Sequence, residues 1–182
     1  MIRLFVALLI PDEIKSVVFD HCYSVVNNPA DYKWEDPDKV HLTLKFIGEV
    51  KEELLPKIID EIDFVKDYSS FDCSISNFGF FFRSNEAKIL WCNLDTDGSM
   101  ISLVDELNKN LKKLNIEVET RKFKGHLSLM RIKTKVDESF IESFKQYKFS
   151  PVKFLADEIA LVQSTLKPAG SEYKILKKYE LK

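Results

Sequence analysis

The chain has 182 residues, 45% apolar and 31% charged, and its 27 basic and 29 acidic side chains leave a net charge of −2. That length suits a single domain, 1–182, or two small lobes sharing one core, and the composition is that of an ordinary globular protein. The balanced charge excludes a global basic field able to hold a long duplex, so any contact with nucleic acid has to be local.

Cys22, Cys73 and Cys92 lie far apart, with no C-x-x-C pair and too few histidines nearby for zinc ligation. They read as buried thiols of a cytoplasmic protein, with no metal, no cofactor and no obligate protein partner implied. The apolar run Leu4 to Ile10 stops at Pro11-Asp12-Glu13, too short for a signal peptide and read as a core strand. No segment reaches the ~20 apolar residues of a membrane span.

In chain order, Ile2–Leu9 reads as a buried strand, and Pro11-Asp12-Glu13 opens a helix to about Val26, ended by Asn27-Asn28-Pro29. Val40–Ile47 reads as a strand broken by Gly48, and Glu52–Lys66 as a helix in which Pro56 marks an irregular start or a kink. Phe71–Phe80 alternates like one strand, followed by a loop at Phe81–Glu86. The pattern then restarts: strand Lys88–Leu94, helix Asp97–Leu114 capped by Asp97, strand His126–Ile132, helix Asp137–Tyr147 and strand Phe154–Gln163. The turn Lys167-Pro168-Ala169-Gly170 leads into a last strand, Tyr173–Glu180.

The restart has a fixed offset of 85 residues: Leu4-Phe5-Val6-Ala7 falls on Ile89-Leu90-Trp91-Cys92, Asp12 on Asp97 and His41 on His126. We read an internal duplication of a β-α-β-α-β unit. The expected fold is therefore α+β and bilobal, two pseudo-twofold-related β-sheet lobes with helices packed outside and a central cleft.

The equivalent strands carry the same motif, His41-Leu42-Thr43-Leu44 and His126-Leu127-Ser128-Leu129, which accounts for two of only three histidines. Residues i and i+2 of a strand share a face, so each histidine lies beside its hydroxyl while the leucines face the core. Two strands meeting across a pseudo-twofold axis would bring two imidazoles and two hydroxyls to one cleft. That set suits in-line displacement at phosphorus: one neutral imidazole accepts a proton from the nucleophile, the other as imidazolium gives one to the leaving oxygen, and hydroxyls bond the non-bridging oxygens. Histidine serves both roles because its ordinary pKa is near 6.5. His21, mid-helix with no hydroxyl at i+2, reads as a surface or packing residue.

Charge points to the second motif. Arg121, Lys122, Lys124, Arg131, Lys133 and Lys135 fall in one stretch without an acid. Arg131, one of four arginines, has the fork that suits phosphate, yet strict alternation sets it on the face opposite His126, so it reaches the cleft only if the strand bulges or ends first. Phe46, Trp34 and Phe123 lie near the motifs and are candidates for base stacking, with packing the ordinary reading of each. Phe80-Phe81-Phe82 is a candidate wall of the cleft.

At these residues the sequence resembles the 2H phosphoesterase superfamily, specifically its RNA 2′,3′-cyclic phosphodiesterase branch, historically called 2′-5′ RNA ligase. The resemblance runs through Arg3-Leu4-Phe5-Val6-Ala7, the stretch Val40 to Glu49, the second motif through Arg131, and Gln163-Ser164-Thr165-Leu166-Lys167-Pro168 followed by Tyr173. It implies metal-independent hydrolysis of a terminal 2′,3′-cyclic phosphate to a 2′-phosphate, on RNA ends or nucleotides, with His41 as proton donor and His126 as proton acceptor. Thr43, Ser128 and Arg131 would bind phosphate, and Phe46 is the candidate for base stacking. Alternatives are a phosphodiesterase for small cyclic nucleotides or 2′-5′-linked oligonucleotides, with reverse ligation, and a non-catalytic RNA- or nucleotide-binding module. Two positions depart from the family pattern: Ser128 replaces the more usual Thr, and Gly125 stands where Pro is usual, which would loosen the approach to the strand.

Overall fold

The computed structural model describes residues 1–168 and 170–182; within the expected turn at 167–170, Ala169 lies outside the described residues. The fold is α+β. Nine strands and four α-helices alternate along the described chain: β1 (Ile2–Leu9), α1 (Asp12–Val25), β2 (His41–Val50), α2 (Leu55–Ile62), β3 (Phe71–Ile75), β4 (Phe78–Arg83), β5 (Glu86–Asn93), α3 (Ser99–Lys112), β6 (His126–Arg131), α4 (Glu138–Gln146), β7 (Val152–Ala156), β8 (Glu158–Lys167) and β9 (Gly170–Glu180). Elements recur about 85 residues apart, β1 with β5, α1 with α3 and β2 with β6. No described helix is long and apolar enough to cross a membrane.

The strands form three antiparallel sheets, ordered β2-β1-β8-β9, β4-β5-β6 and β3-β7. The continuous apolar run of β1 has a simple cause: both its faces are covered. Leu4, Val6 and Leu8 enter the main core, while Phe5 and Ala7 join Ala160 and Val162 in a smaller cluster on the opposite face. Helices present one apolar stripe each; Met100, Leu103, Val104, Leu107 and Leu111 of α3 recur at three- and four-residue steps and are buried.

Several elements differ from their sequence expectation. The Phe71–Phe80 stretch is two strands in different sheets, separated at Ser76-Asn77, where both backbone N–H groups donate to the Asn93 side-chain oxygen at 2.8 and 2.9 Å. The Phe154–Gln163 stretch likewise splits at Asp157 between β7 and β8. The small β3-β7 sheet pairs a strand from each half, a junction that two-lobe reasoning did not anticipate. Phe81–Glu86 is a tight hairpin rather than a loop, with Ser84 and Asn85 at φ 51° and 63°, the left-handed pair that a two-residue turn requires. The helix expected over Glu52–Lys66 is a 3-10 turn, the short α2 and a second 3-10 turn, and Pro56 sits in the first turn of α2. Gly48 does not end β2; it takes φ 85° inside the strand at a register shift.

Candidate active site

β2 and β6 are each the edge strand of a sheet, and these two edges approach one another. His41 and His126 open them. Each imidazole is held in the same way, by a Nδ1 hydrogen bond to the carbonyl two residues earlier: 2.7 Å to Lys39 for His41 and 2.9 Å to Lys124 for His126. A carbonyl only accepts, so Nδ1 carries hydrogen in both rings and Nε2 is left as the nitrogen that takes up or gives off a proton.

The two strands also share a phase break. In β2, Val6 pairs with Lys45 but Ala7 with Thr43; in β6, Leu90 pairs with Met130 but Trp91 with Ser128. One extra residue, Leu44 or Leu129, is thus inserted just after each hydroxyl. The six-residue sequences of burial then agree: half-buried histidine, buried leucine, accessible hydroxyl, two buried residues, exposed side chain. The exposed sixth residues are Phe46 and Arg131, which without the bulge would face the core. Both line the same cavity, of about 460 Å³, as His41, Thr43, His126 and Ser128. The inserted residue also turns Lys45 inward, where it is 4% exposed and its ammonium donates to the Glu117 carbonyl at 2.5 Å. The strand of the first motif is thereby tied to the loop that leads to the second.

The cavity wall is cationic. Arg3, Lys33, Lys39, Arg131, Lys133 and Lys167 line it against one acid, Glu35, which lies 3.5 Å from Arg131. The Arg3 guanidinium sits 4.7 Å from the Phe46 ring centre, covering one face of a ring that is 48% exposed. Of the basic stretch 121–135, Arg131 and Lys133 reach the cleft, whereas Arg121 pairs with Glu119 and Lys124 lies over the Trp91 ring.

The two histidines differ in surroundings. His41 stacks on Phe5 at 4.7 Å between ring centres and meets Tyr173 edge-on at 5.4 Å. Burial, opposed by the bond to Lys39 and helped by the charges of Arg131 and Lys15, pushes its pKa down to about 4. His126 has one aromatic neighbour among the described residues, Phe81, which meets it edge-to-face at 4.9 Å. Trp34 also lines the cavity, but its indole N–H donates to the Pro29 carbonyl and its ring packs among Phe19, Tyr23 and Phe144. Phe123 packs against the core, and His21 is a packing residue, stacked on Phe149 and bonded to the Tyr147 hydroxyl.

Gly125 corrects an expectation. It does not loosen the start of β6; a Cβ there would run into the Leu94 carbonyl oxygen, and Leu94 N–H donates to the Gly125 carbonyl at 3.1 Å. Glycine is present because two backbones touch immediately before His126. Residues missed in the sequence include Phe5, Arg3, Lys33, Lys39, Ser164 and Tyr173. Arg3 carried a usable signal, a lone charge leading an apolar strand, and Ser164 lies in the stretch already noted for its resemblance. All three cysteines are buried free thiols, and among the described residues no group of three or more His, Cys, Asp or Glu side chains is placed to hold a metal ion.

Paired, identically tethered imidazoles with hydroxyls beside them, on facing strands of an α+β fold, are the arrangement that a two-histidine acid–base site would require. Comparison with known proteins finds the same chemistry in the names of its relatives. The family description "LigT like Phosphoesterase" matches residues 12–91, the part that contains the first motif. Proteins named RNA 2′,3′-cyclic phosphodiesterase are similar over nearly the whole chain: 28% identity with one from Thermotoga maritima, covering 96% of this chain and 92% of that protein, and 29% with one from Archaeoglobus fulgidus, covering 98% and 99%. A solved structure from Thermus thermophilus superposes with a TM-score of 0.80 at 25% identity over 98% of this chain and 97% of that one. Escherichia coli LigT, solved in complex with 3′-AMP, shares the fold at a TM-score of 0.75 and 22% identity, over 99% of this chain and 98% of that one. The chain is thus similar to the LigT-like phosphoesterases over residues 12–91 and to RNA 2′,3′-cyclic phosphodiesterases over nearly its whole length.

Proposed function

We propose that this protein is an RNA 2′,3′-cyclic phosphodiesterase that opens a terminal cyclic phosphate to a 2′-phosphate. The observation that carries this reading is the pair of Nδ1-tethered imidazoles in one cavity, each beside a hydroxyl, with Arg131 lining the same cavity. The names of its full-length relatives agree with it.

Water attacks phosphorus in line with the P–O3′ bond. His126 Nε2 takes the water proton, His41 Nε2 gives a proton to O3′ as that bond breaks, and Thr43, Ser128 and Arg131 bind the non-bridging oxygens. Proton exchange with solvent resets the pair. His41 is neutral in the free protein near pH 7, because burial holds its pKa down at about 4. The anionic phosphate supplies the opposing charge that lets His41 hold its proton, so the donor is charged as substrate arrives. In this reading the chain is bilobal, with helices outside and a cleft between two copies of one unit, and the two motifs are counterparts.

An RNA end, rather than a bare mononucleotide, is favoured by the cations. One cyclic phosphate carries a single negative charge, whereas five basic side chains besides Arg131 line the cavity; a chain of phosphates uses them. Phe46 offers its open face for stacking a base of that chain. The test is incubation of the protein with an oligonucleotide ending in a 2′,3′-cyclic phosphate, in excess EDTA, with the product phosphate located by phosphorus NMR. A 2′-phosphate formed at undiminished rate is expected. A 3′-phosphate, or a rate restored only by added divalent ion, would overturn the assignment.

A further inference from the structure

The cleft face of the four-stranded sheet is divided. Phe5, His41 and Tyr173 form an aromatic ridge across it, with centre-to-centre distances of 4.7 to 5.4 Å. On one side lies the cationic cavity. On the other is a second cavity, of about 410 Å³, that shares His41 and Tyr173 with the first. Its floor follows from the register: Ala7 and Leu9 lie two and four residues along β1 from Phe5, Val162 of β8 pairs with Phe5, and Ile175 of β9 pairs with Val162 two residues along from Tyr173, so all share one sheet face. Ala7 is small where Phe5 is large, which leaves room next to the ridge.

The charge of this second cavity is opposite to that of the first. Lys15 and Lys178 are neutralised by Asp12 and Glu158, at 2.8 and 3.0 Å. Asp38 and Asp157 also line it and have no cationic partner among the described residues. A cavity with an apolar floor and free carboxylates at its rim repels phosphate and accepts a flat apolar group that carries hydrogen-bond donors. A nucleoside 2′,3′-cyclic phosphate has such a group one ribose away from phosphorus.

The geometry points to this second cavity as the site for the base of the terminal nucleotide, selective for bases that carry an exocyclic amino group over uracil. This rests on the phosphodiesterase reading. The phosphate lies at the histidines, the upstream chain follows the cations, and the terminal base crosses the ridge into the acidic side. Cytosine presents an amino group where uracil presents a carbonyl, so the carboxylates of Asp38 and Asp157 attract the first and repel the second. His41 is then a partition between the two compartments as well as an acid.

The test compares 2′,3′-cyclic CMP with 2′,3′-cyclic UMP, which differ only in the group on C4 and in the hydrogen that uracil carries on N3. The wild-type protein is expected to favour the cytidine substrate by about tenfold in kcat/KM, the effect of one hydrogen bond to a charged group. In the Asp38→Asn, Asp157→Asn double variant, amide groups can donate to the uracil carbonyl, and the ratio should fall to within about twofold or reverse. Ile175→Trp, at a position 45% exposed, fills the cavity without touching the carboxylates and should raise KM for both substrates with kcat little changed. Equal use of the two substrates by the wild type, an unchanged ratio in the double variant, or an unchanged KM in Ile175→Trp overturns the site. If neither mononucleotide turns over, oligonucleotides ending in cytidine or uridine 2′,3′-cyclic phosphate take their place, and only inactivity on these too makes the phosphodiesterase reading fail instead. Calorimetric binding of 2′-CMP and 2′-UMP then decides this inference: tighter binding of 2′-CMP supports it, and equal affinities sink it.

Discussion

The aromatic enclosure of His41 makes the stability of the whole protein depend on pH in a defined window. His41 titrates at about 4 in the folded chain, against an ordinary value of 6.5. Between those values the unfolded chain holds a proton on this ring that the folded chain refuses. Stability from the buried neutral ring is therefore complete above about pH 6.5, declines on acidification through the window, and is gone by about pH 4. The shift from 6.5 to about 4, at 1.36 kcal/mol per unit, makes the loss about 3 kcal/mol. Urea denaturation of the wild type and of His41→Gln at several pH values from 7.5 to 4 measures it. Glutamine can still donate to the Lys39 carbonyl but does not titrate, and the other ionising groups cancel in the difference. The difference in unfolding free energy should slope by roughly 1.4 kcal/mol per pH unit in the middle of the window. Inorganic phosphate, whose charge favours the imidazolium against burial, should raise the folded value and so narrow the window and reduce the loss. A flat difference, or a His41 ring resonance titrating near 6.5 in the free protein, would refute the reasoning that Phe5 and Tyr173 keep this histidine neutral.

Other consequences concern catalysis and local packing. His41→Ala and His126→Ala should each lower turnover by roughly 10²–10⁴-fold. A substrate whose leaving 3′ oxygen is replaced by sulfur should restore His41→Ala and not His126→Ala, since a thiolate departs without a proton; the opposite pattern would exchange the two roles. Arg131→Lys should impair kcat/KM more than Lys133→Ala, because charge without the planar fork cannot take two phosphate oxygens at once; equal effects in a steady-state comparison would leave Arg131 a general cation. Gly125→Ala should destabilise the fold by about 1–3 kcal/mol in thermal melts and disturb His126, because its methyl group meets the Leu94 carbonyl. An unchanged melting temperature would mean that the two backbones can part at no cost.

The chemistry was more legible in the sequence than the architecture, and the reasons are physical. A histidine, a hydroxyl two residues on and leucines between them are a local pattern, readable from strand alternation alone, and its recurrence at His126 named both strands of the site. The Arg131 parity problem was also visible locally, and the register shift at Leu129 sets that side chain on the cleft wall. The matching shift at Leu44 went unseen because Lys45 and Phe46 look like ordinary alternation until Lys45 is found bonded to Glu117, a partner far along the chain. Strand ends were misread wherever a distant group replaced the ladder: the Asn93 side chain satisfies the backbone of Ser76 and Asn77, so alternation continues through a point where the chain changes sheets. The ridge of Phe5, His41 and Tyr173 joins opposite ends of the chain, and no window along the sequence contains it.

The twin bulges at Leu44 and Leu129 bear on more than the aim of two side chains. Each lies on the outermost strand of its sheet, where unpaired N–H and C=O groups would otherwise offer a template to another chain. An incoming strand needs a ladder in constant phase, and an inserted residue interrupts it within one hydrogen-bond repeat. The same irregularity that opens a reactive cleft between two bare sheet edges thus guards those edges against association with a second copy, so a change that regularised either strand would be expected to lower solubility as well as activity.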